Sequence, residues 1–175
     1  TLHENVAEDE RNRLFGNFSL KYQYDENLSF DGTVRTDMYD FIIEDRMGSG
    51  GLETDFYSME KLSLRELNYE AKVHYTRSLG PVGMRSVFGG NYMQKHISDA
   101  YSGTSGGLSL PGFYNLDASV DRPSVSTSKS AKAINSVFGQ LVLDYGGFLF
   151  ADISMRNDVS SALPEDNNAY TYYSL

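Results

Sequence analysis

The sequence predicts an all-β fold, an antiparallel segment of a large transmembrane β-barrel, and three observations carry that expectation. Long stretches alternate apolar and polar residues with a period of two, which places the two sets on opposite faces of a strand. The stretches come in pairs joined by tight, polar or glycine-rich connections. No run reaches the roughly 18 to 20 apolar residues of a transmembrane helix, whereas a tilted membrane strand needs only about 9 to 11 residues of alternating polarity.

The first pair is Asn17–Tyr24 and Leu28–Arg35. Phe18, Leu20, Tyr22 and Tyr24 alternate with Asn17, Ser19, Lys21 and Gln23, and Asp25-Glu26-Asn27 supplies a polar turn. Residues 40–61 are less regular, and Gly48-Ser49-Gly50-Gly51 marks a loop-rich excursion. The next pair begins at Asn68–Arg77, where Tyr69, Ala71, Val73 and Tyr75 oppose Glu70, Lys72, His74 and Thr76. It turns at Leu79-Gly80-Pro81-Val82-Gly83 and returns near Met84–Tyr92.

Residues 93–133 are rich in Ser, Gly, Asp and Thr, with Pro111 and Pro123, and show little sustained period. They read as one long loop of the extracellular type. Loops of that length are uncommon in compact domains and serve as binding loops or lids, or as plain solvent-exposed insertions. The last pair, Ser136–Tyr145 and Phe148–Arg156, is joined at Gly146-Gly147. Leu141, Leu143 and Tyr145 share a face, as do Leu149, Ala151, Ile153 and Met155, while Gln140, Asp144, Asp152, Ser154 and Arg156 form a polar side. Apolar contact outside and a polar lumen inside fit this pattern, and so does a soluble sheet with one wet face.

Composition removes several functions. With 24 acidic and 15 basic residues the formal charge is −9, opposite to what phosphate neutralisation requires, and Lys129 and Lys132 are too sparse for a nucleic-acid footprint. Absence of cysteine removes disulfides, thiolate metal sites and a cysteine nucleophile. His3, His74 and His96 lack metal-ligand spacing and read as surface or turn residues. No serine sits in a G-x-S-x-G turn, and neither Gly48-Ser49-Gly50-Gly51 nor Gly103-Thr104-Ser105-Gly106-Gly107 has a phosphate-loop pattern. The sequence therefore predicts no enzyme, catalytic residue, metal or cofactor.

Ser136-Val137-Phe138-Gly139, followed by a strand pair and then Arg156-Asn157-Asp158-Val159-Ser160-Ser161-Ala162-Leu163-Pro164, resembles a signature of the SusC/RagA-like class of TonB-dependent outer-membrane transporters. In that class the segments resemble SVFG and RNDWSS-LP before an aromatic-rich stretch. Val159 replaces the usual tryptophan, and Tyr170, Tyr172 and Tyr173 stand in the aromatic stretch. Upstream, Phe88-Gly89-Gly90-Asn91 and Leu108–Leu116 are similar to further family segments in the same order, as are Leu28–Thr33 and Asp37-Met38-Tyr39.

The resemblance implies a barrel of about 22 strands with an N-terminal plug, energised through TonB, beneath a SusD-like surface lipoprotein. It places the chain in the outer membrane of a Gram-negative, Bacteroidetes-type bacterium, in contact with membrane lipid. Residues 1–175 hold no recognisable plug, so they read as an internal portion of the barrel. The implied function is import of oligosaccharides or peptides. The other class consistent with the residues is a soluble or surface-exposed β-rich module that binds carbohydrate or protein without transport.

Tyr101, Phe113, Tyr114 and Asn115 are the ligand-contact candidates, because aromatic rings and amides in an exposed excursion can stack and hydrogen-bond. Their structural alternative is that Phe113 and Tyr114 anchor the loop while Asn115 closes a turn. Arg156, Asn157 and Asp158 read as local ordering at a strand end, and Tyr170, Tyr172 and Tyr173 as an interfacial girdle or ordinary strand packing.

Overall fold

The computed structural model describes residues 5–175. Seven strands form one sheet in chain order: β1 (Val6–Gln23), β2 (Leu28–Met47), β3 (Phe56–Leu79), β4 (Val82–Leu108), β5 (Ser119–Tyr145), β6 (Leu149–Ser160) and β7 (Ala169–Ser174). Neighbours are antiparallel, and β1 and β7 end the order without closing on each other. Two helical turns, Leu116–Ala118 and Glu165–Asn167, interrupt the connections.

The short connections follow directly from their side chains. Asp25 Oδ1 accepts from the backbone N–H groups of Asn27 and Leu28 at 2.7 and 2.8 Å, closing the first turn. Gly146 and Gly147 take φ of 60° and 75°, the left-handed pair that a right-twisted hairpin demands. Gly146 N–H also donates to Pro81 O at 2.8 Å, tying two turns together.

Two expectations are corrected. The excursion expected over 93–133 is mostly strand: β4 runs to Leu108 and β5 starts at Ser119, leaving only residues 109–118 as connection. Likewise β2 continues to Met47 and β3 begins at Phe56, so the excursion expected over 40–61 contracts to 48–55. Strand length needs a backbone ladder, and a ladder whose two faces are both polar leaves no period-two signal. Gly106 and Gly107, expected in a loop, lie inside β4 at φ of 72° and 95°.

The chain divides into two compact units. One holds the described residues up to Leu14 with Met38–Arg65 and His96–Ser130; the other holds Phe15–Asp37, Glu66–Lys95 and Ala131–Leu175. The second unit contains the tight turns and all the pairs of alternating strands expected from the sequence. Here we call the first the arm unit and the second the wall unit.

In the wall unit the register separates two faces. Gly139 opposes Met155, Leu141 opposes Ile153 and Leu143 opposes Ala151, giving an apolar face. Phe138 opposes Arg156, Gln140 opposes Ser154 and Val142 opposes Asp152 on the polar one. The large residues of the apolar face are not covered by a second layer: Phe18 is 70% exposed, Leu20 65% and Met155 59%. A two-layer domain buries such a face; among the described residues nothing covers this one.

Candidate functional site

The apolar face of the wall unit is continuous across strands. Tyr22 and Phe30 stack with ring centroids 6.4 Å apart, and Tyr69 and Tyr92 do the same at 6.4 Å. Gly32, Ala71 and Gly90 leave an open groove of about 610 Å³ between walls that include Leu20, Val34 and Tyr92.

The opposite face carries a polar network. His74 Nε2 lies 2.7 Å from Asp31 Oδ2, while Asp31 Oδ1 is buried without a hydrogen-bond partner. Arg35 reaches Glu70 at 3.2 Å and Asn68 at 3.4 Å, Lys72 reaches Glu70 at 3.0 Å, and Asn91 donates to Asn68 at 2.8 Å. His74 stands in β3, on the polar side of the alternating stretch as expected, and is part-buried against Asp31; His96 is an exposed residue of β4, and His3 lies outside the described residues. A period of two fixes which residues share a face, but the cross-strand register decides which of them meet. That register is the information a single strand pattern lacks.

The motif residues assemble into one structural knot in the wall unit. Arg156 donates from Nε to Asp158 Oδ1 at 2.8 Å and from Nη2 to Ser136 Oγ at 2.9 Å, and its guanidinium lies 5.5 Å from the Phe138 ring centroid. Phe138 in turn packs over Gly89, where an added Cβ would sit 2.7 Å from Phe138 Cζ and 2.8 Å from Ala71 O. Gly89, Ser136, Phe138, Arg156 and Asp158 are thus one contact set, and glycine is required where the ring crosses the backbone.

The remaining motif residues close the strand end. Asn157 donates to Thr171 Oγ1 at 2.9 Å, Ser161 Oγ accepts from Ala133 N–H at 2.8 Å, and Ser160 N–H donates to Asn168 O at 2.9 Å. Val137 and Gly139 stand on the apolar face opposite Asn157 and Met155. Leu163 N–H donates to Ser160 O, and Pro164 precedes the helical turn at Glu165–Asn167. Arg156 pairs with the Asp158 carboxylate as expected of such a pair, whereas Asn157 bonds across to β7 rather than to a turn.

The three tyrosines expected together as a girdle divide. Tyr172 opposes Arg156 and Tyr170 opposes Asp158 on the polar face, whereas Tyr173 opposes Met155 on the apolar face and is 87% exposed. Of the three, only Tyr173 stands on the apolar face.

The four ligand-contact candidates belong to the arm unit. Phe113, Tyr114 and Asn115 lie together in the connection after β4; Asn115 Oδ1 accepts from Asp117 N–H at 3.0 Å and its N–H donates to Phe113 O at 3.0 Å. Asn115 therefore closes a turn. Phe113 is half-exposed, and the Tyr114 hydroxyl is buried without a partner. Tyr101 instead lies within β4, seven positions before its end, or about 23 Å at the strand rise. Its ring folds back over Gly103, where an added Cβ would approach Tyr101 Cζ to 3.0 Å. The structure does not gather the four into one pocket.

Charged clusters in the arm unit are only partly exposed and are mutually satisfied. Arg46 reaches Glu8 at 3.0 Å and Glu44 at 3.2 Å, and Arg11 lies 4.7 Å from the Tyr39 ring centroid. The hydrogen bond that Arg46 donates to Glu44, with the charges of Glu8 and Glu44, raises the Arg46 pKa above its ordinary value. Burial, reinforced by the Glu44 charge, pushes the Tyr57 phenol up. Among the described residues no three His, Asp or Glu side chains converge to hold a metal.

This geometry can be set against known proteins. The sequence matches no protein-family model and no curated protein. Solved structures do match. The structure of the RagAB peptide transporter superposes at a TM-score of 0.86 over 98% of this chain, with 13% identity. The fold is that of part of a RagAB chain. The RagAB peptide importer in its closed-closed and open-open states matches at TM-scores of 0.85 and 0.85, with 14% and 13% identity and 98% coverage in both. This chain spans 20% of the length of each RagAB chain.

Proposed function

We propose that these residues form part of the barrel wall of a TonB-dependent outer-membrane importer. The single observation that carries the reading is the RagAB likeness over 98% of the chain, joined to a sheet whose uncovered face is apolar in the wall unit. β6 has 12 residues, enough to cross an apolar band at barrel tilt. The polar network on the other face, from Asp31 and His74 to Arg35, Glu70 and Asn91, lines the lumen.

In this reading the wall unit sits in the membrane and the arm unit carries the extracellular extensions. The cargo is an oligosaccharide or a peptide, met from outside together with a SusD-like lipoprotein, and passage is opened by TonB acting through other parts of the polypeptide. Tyr101, Phe113, Tyr114 and Asn115 stay the candidates for contact with cargo or partner. The host is a Gram-negative bacterium of Bacteroidetes type.

The test is the intact mass of the native polypeptide, recovered from separated soluble and outer-membrane fractions. With 19.6 kDa corresponding to 20% of a RagAB chain, we expect about 100 kDa in the outer membrane, the size of a large single-chain barrel. A stable product near 20 kDa in the soluble fraction would replace the importer with a free-standing β-rich binding module.

A further inference from the structure

One backbone edge inside the sheet has no neighbour. β5 is flanked by β4 on one side and β6 on the other, but its pairing with β6 starts only at Ile134, opposite Ser160. From Ser119 to Ala133 the β6 side of the ladder is open, apart from Ser161, which exchanges hydrogen bonds with Ala133. β1 and β7 are edges because they end the strand order; β5 is an edge although it lies within it.

The direction of its backbone groups follows from where β5 meets β6. Ala133 points its N–H and C=O to the β6 side, bonding Ser161. The register that begins at Ile134 opposite Ser160 continues from this point. Odd-numbered residues therefore present both groups to the open side, which includes Val125, Thr127 and Lys129. Residues 124–130 are all exposed, Val125 at 68%. Pro123 also occupies an odd position, so its missing N–H falls on the open side and ends the usable run.

The charge around this edge is opposite to that of the chain. Between Ser119 and Ala133 stand Arg122, Lys129 and Lys132 against one acidic residue, Asp121, in a chain of formal charge −9. None of these three bases has an ion pair among the described residues. A second copy of the same edge would bring like charges together, which cross-strand pairing disfavours. An acidic strand would both fill the ladder and neutralise the bases.

We propose that the open edge of β5 over residues 124–130 is a docking strand that pairs with an extended, acidic segment of a partner polypeptide. The backbone of Val125, Thr127 and Lys129 supplies the ladder, and Arg122 and Lys129 select the sign of the incoming side chains.

The experiment is amide hydrogen exchange on the native polypeptide, shown by intact mass to carry no second chain, with and without a synthetic peptide of alternating glutamate and valine. The amides of Val125, Thr127 and Lys129 should be unprotected alone and slowed at least about tenfold by saturating peptide, a differential of about 1.4 kcal/mol. Lysine–valine peptide should slow them far less, and Lys129→Glu, which leaves the ladder intact, should weaken the glutamate peptide about tenfold. Protection already present without peptide, no slowing at saturation, or equal effects of the two peptides would overturn the proposal. Thr127→Pro removes one open N–H and should abolish the slowing; Lys129→Glu decides the matter should that variant not fold.

Discussion

The wall unit and the arm unit use the same strands for opposite purposes. In the wall unit alternate positions of β1 and β2 hold Phe18, Leu20, Tyr22, Phe30 and Val34, exposed and without polar partners. In the arm unit the even positions of those strands hold Glu10 and the ion-paired Glu8, Glu44 and Arg46. A β-ladder satisfies its own backbone, so it runs unchanged between apolar and aqueous surroundings. The side chains alone declare the solvent. A β-strand can therefore carry the boundary of a membrane within its length without any break in secondary structure.

The comparison breaks most visibly if charge is moved between the units. Leu20→Arg should cost about 2–4 kcal/mol when the native polypeptide is refolded into lipid vesicles, whereas Glu10→Arg should stay within about 0.5 kcal/mol. Denaturant titration of the vesicle-bound protein measures both. Equal costs would mean that the two units face the same solvent.

A second expectation concerns the knot that fixes the wall unit. Gly89→Val places new atoms within 3 Å of Phe138, Ala71 O and Lys72 Cγ, and overpacking of this kind costs about 1–3 kcal/mol. Gly32→Ala, with nothing within 4 Å of the added Cβ, isolates the loss of glycine freedom and should be near neutral. The same titration separates them.

Arg156→Ala should follow at about 1 kcal/mol, because the side chain is 44% exposed and its bonds to Asp158 and Ser136 are partly screened. Arg156→Lys should recover only part, since an ammonium cannot fork to both partners while lying over Phe138. Smallest is Glu44→Gln in the arm unit, at most about 0.5 kcal/mol and lost in high salt. It should also lower the Tyr57 pKa, since the Glu44 charge helps to raise it, and absorbance titration of the variant against a Tyr57→Phe background reports that change.

What the sequence made legible and what it hid follow the same division. The wall unit's hairpins were readable because Phe18-Ser19-Leu20-Lys21-Tyr22 alternates and because Asp25 and Gly146-Gly147 have turn chemistry of their own. Residues 93–108 and 119–133 were unreadable as strand because Ser, Thr and Gly on both faces erase the period, although the ladder continues through them. The knot of Gly89, Phe138 and Arg156 was visible as motifs but not as a contact, since it depends on the register between β4, β5 and β6. Tyr172 and Tyr173 show the same limit: adjacent aromatic residues in one short strand serve opposite faces.

The central claim is that lipid meets the apolar face of the wall unit and stops at the arm unit. These residues contain no cysteine, so single cysteines at Leu20, Ser19 and Glu10 can each carry a fluorophore whose quenching by spin-labelled lipid is read in reconstituted native polypeptide. Strong quenching at Leu20→Cys, with little at Ser19→Cys and Glu10→Cys, is the predicted result. Equal quenching at Leu20→Cys and Ser19→Cys, or none at any position, would contradict a membrane wall with one lipid-facing side.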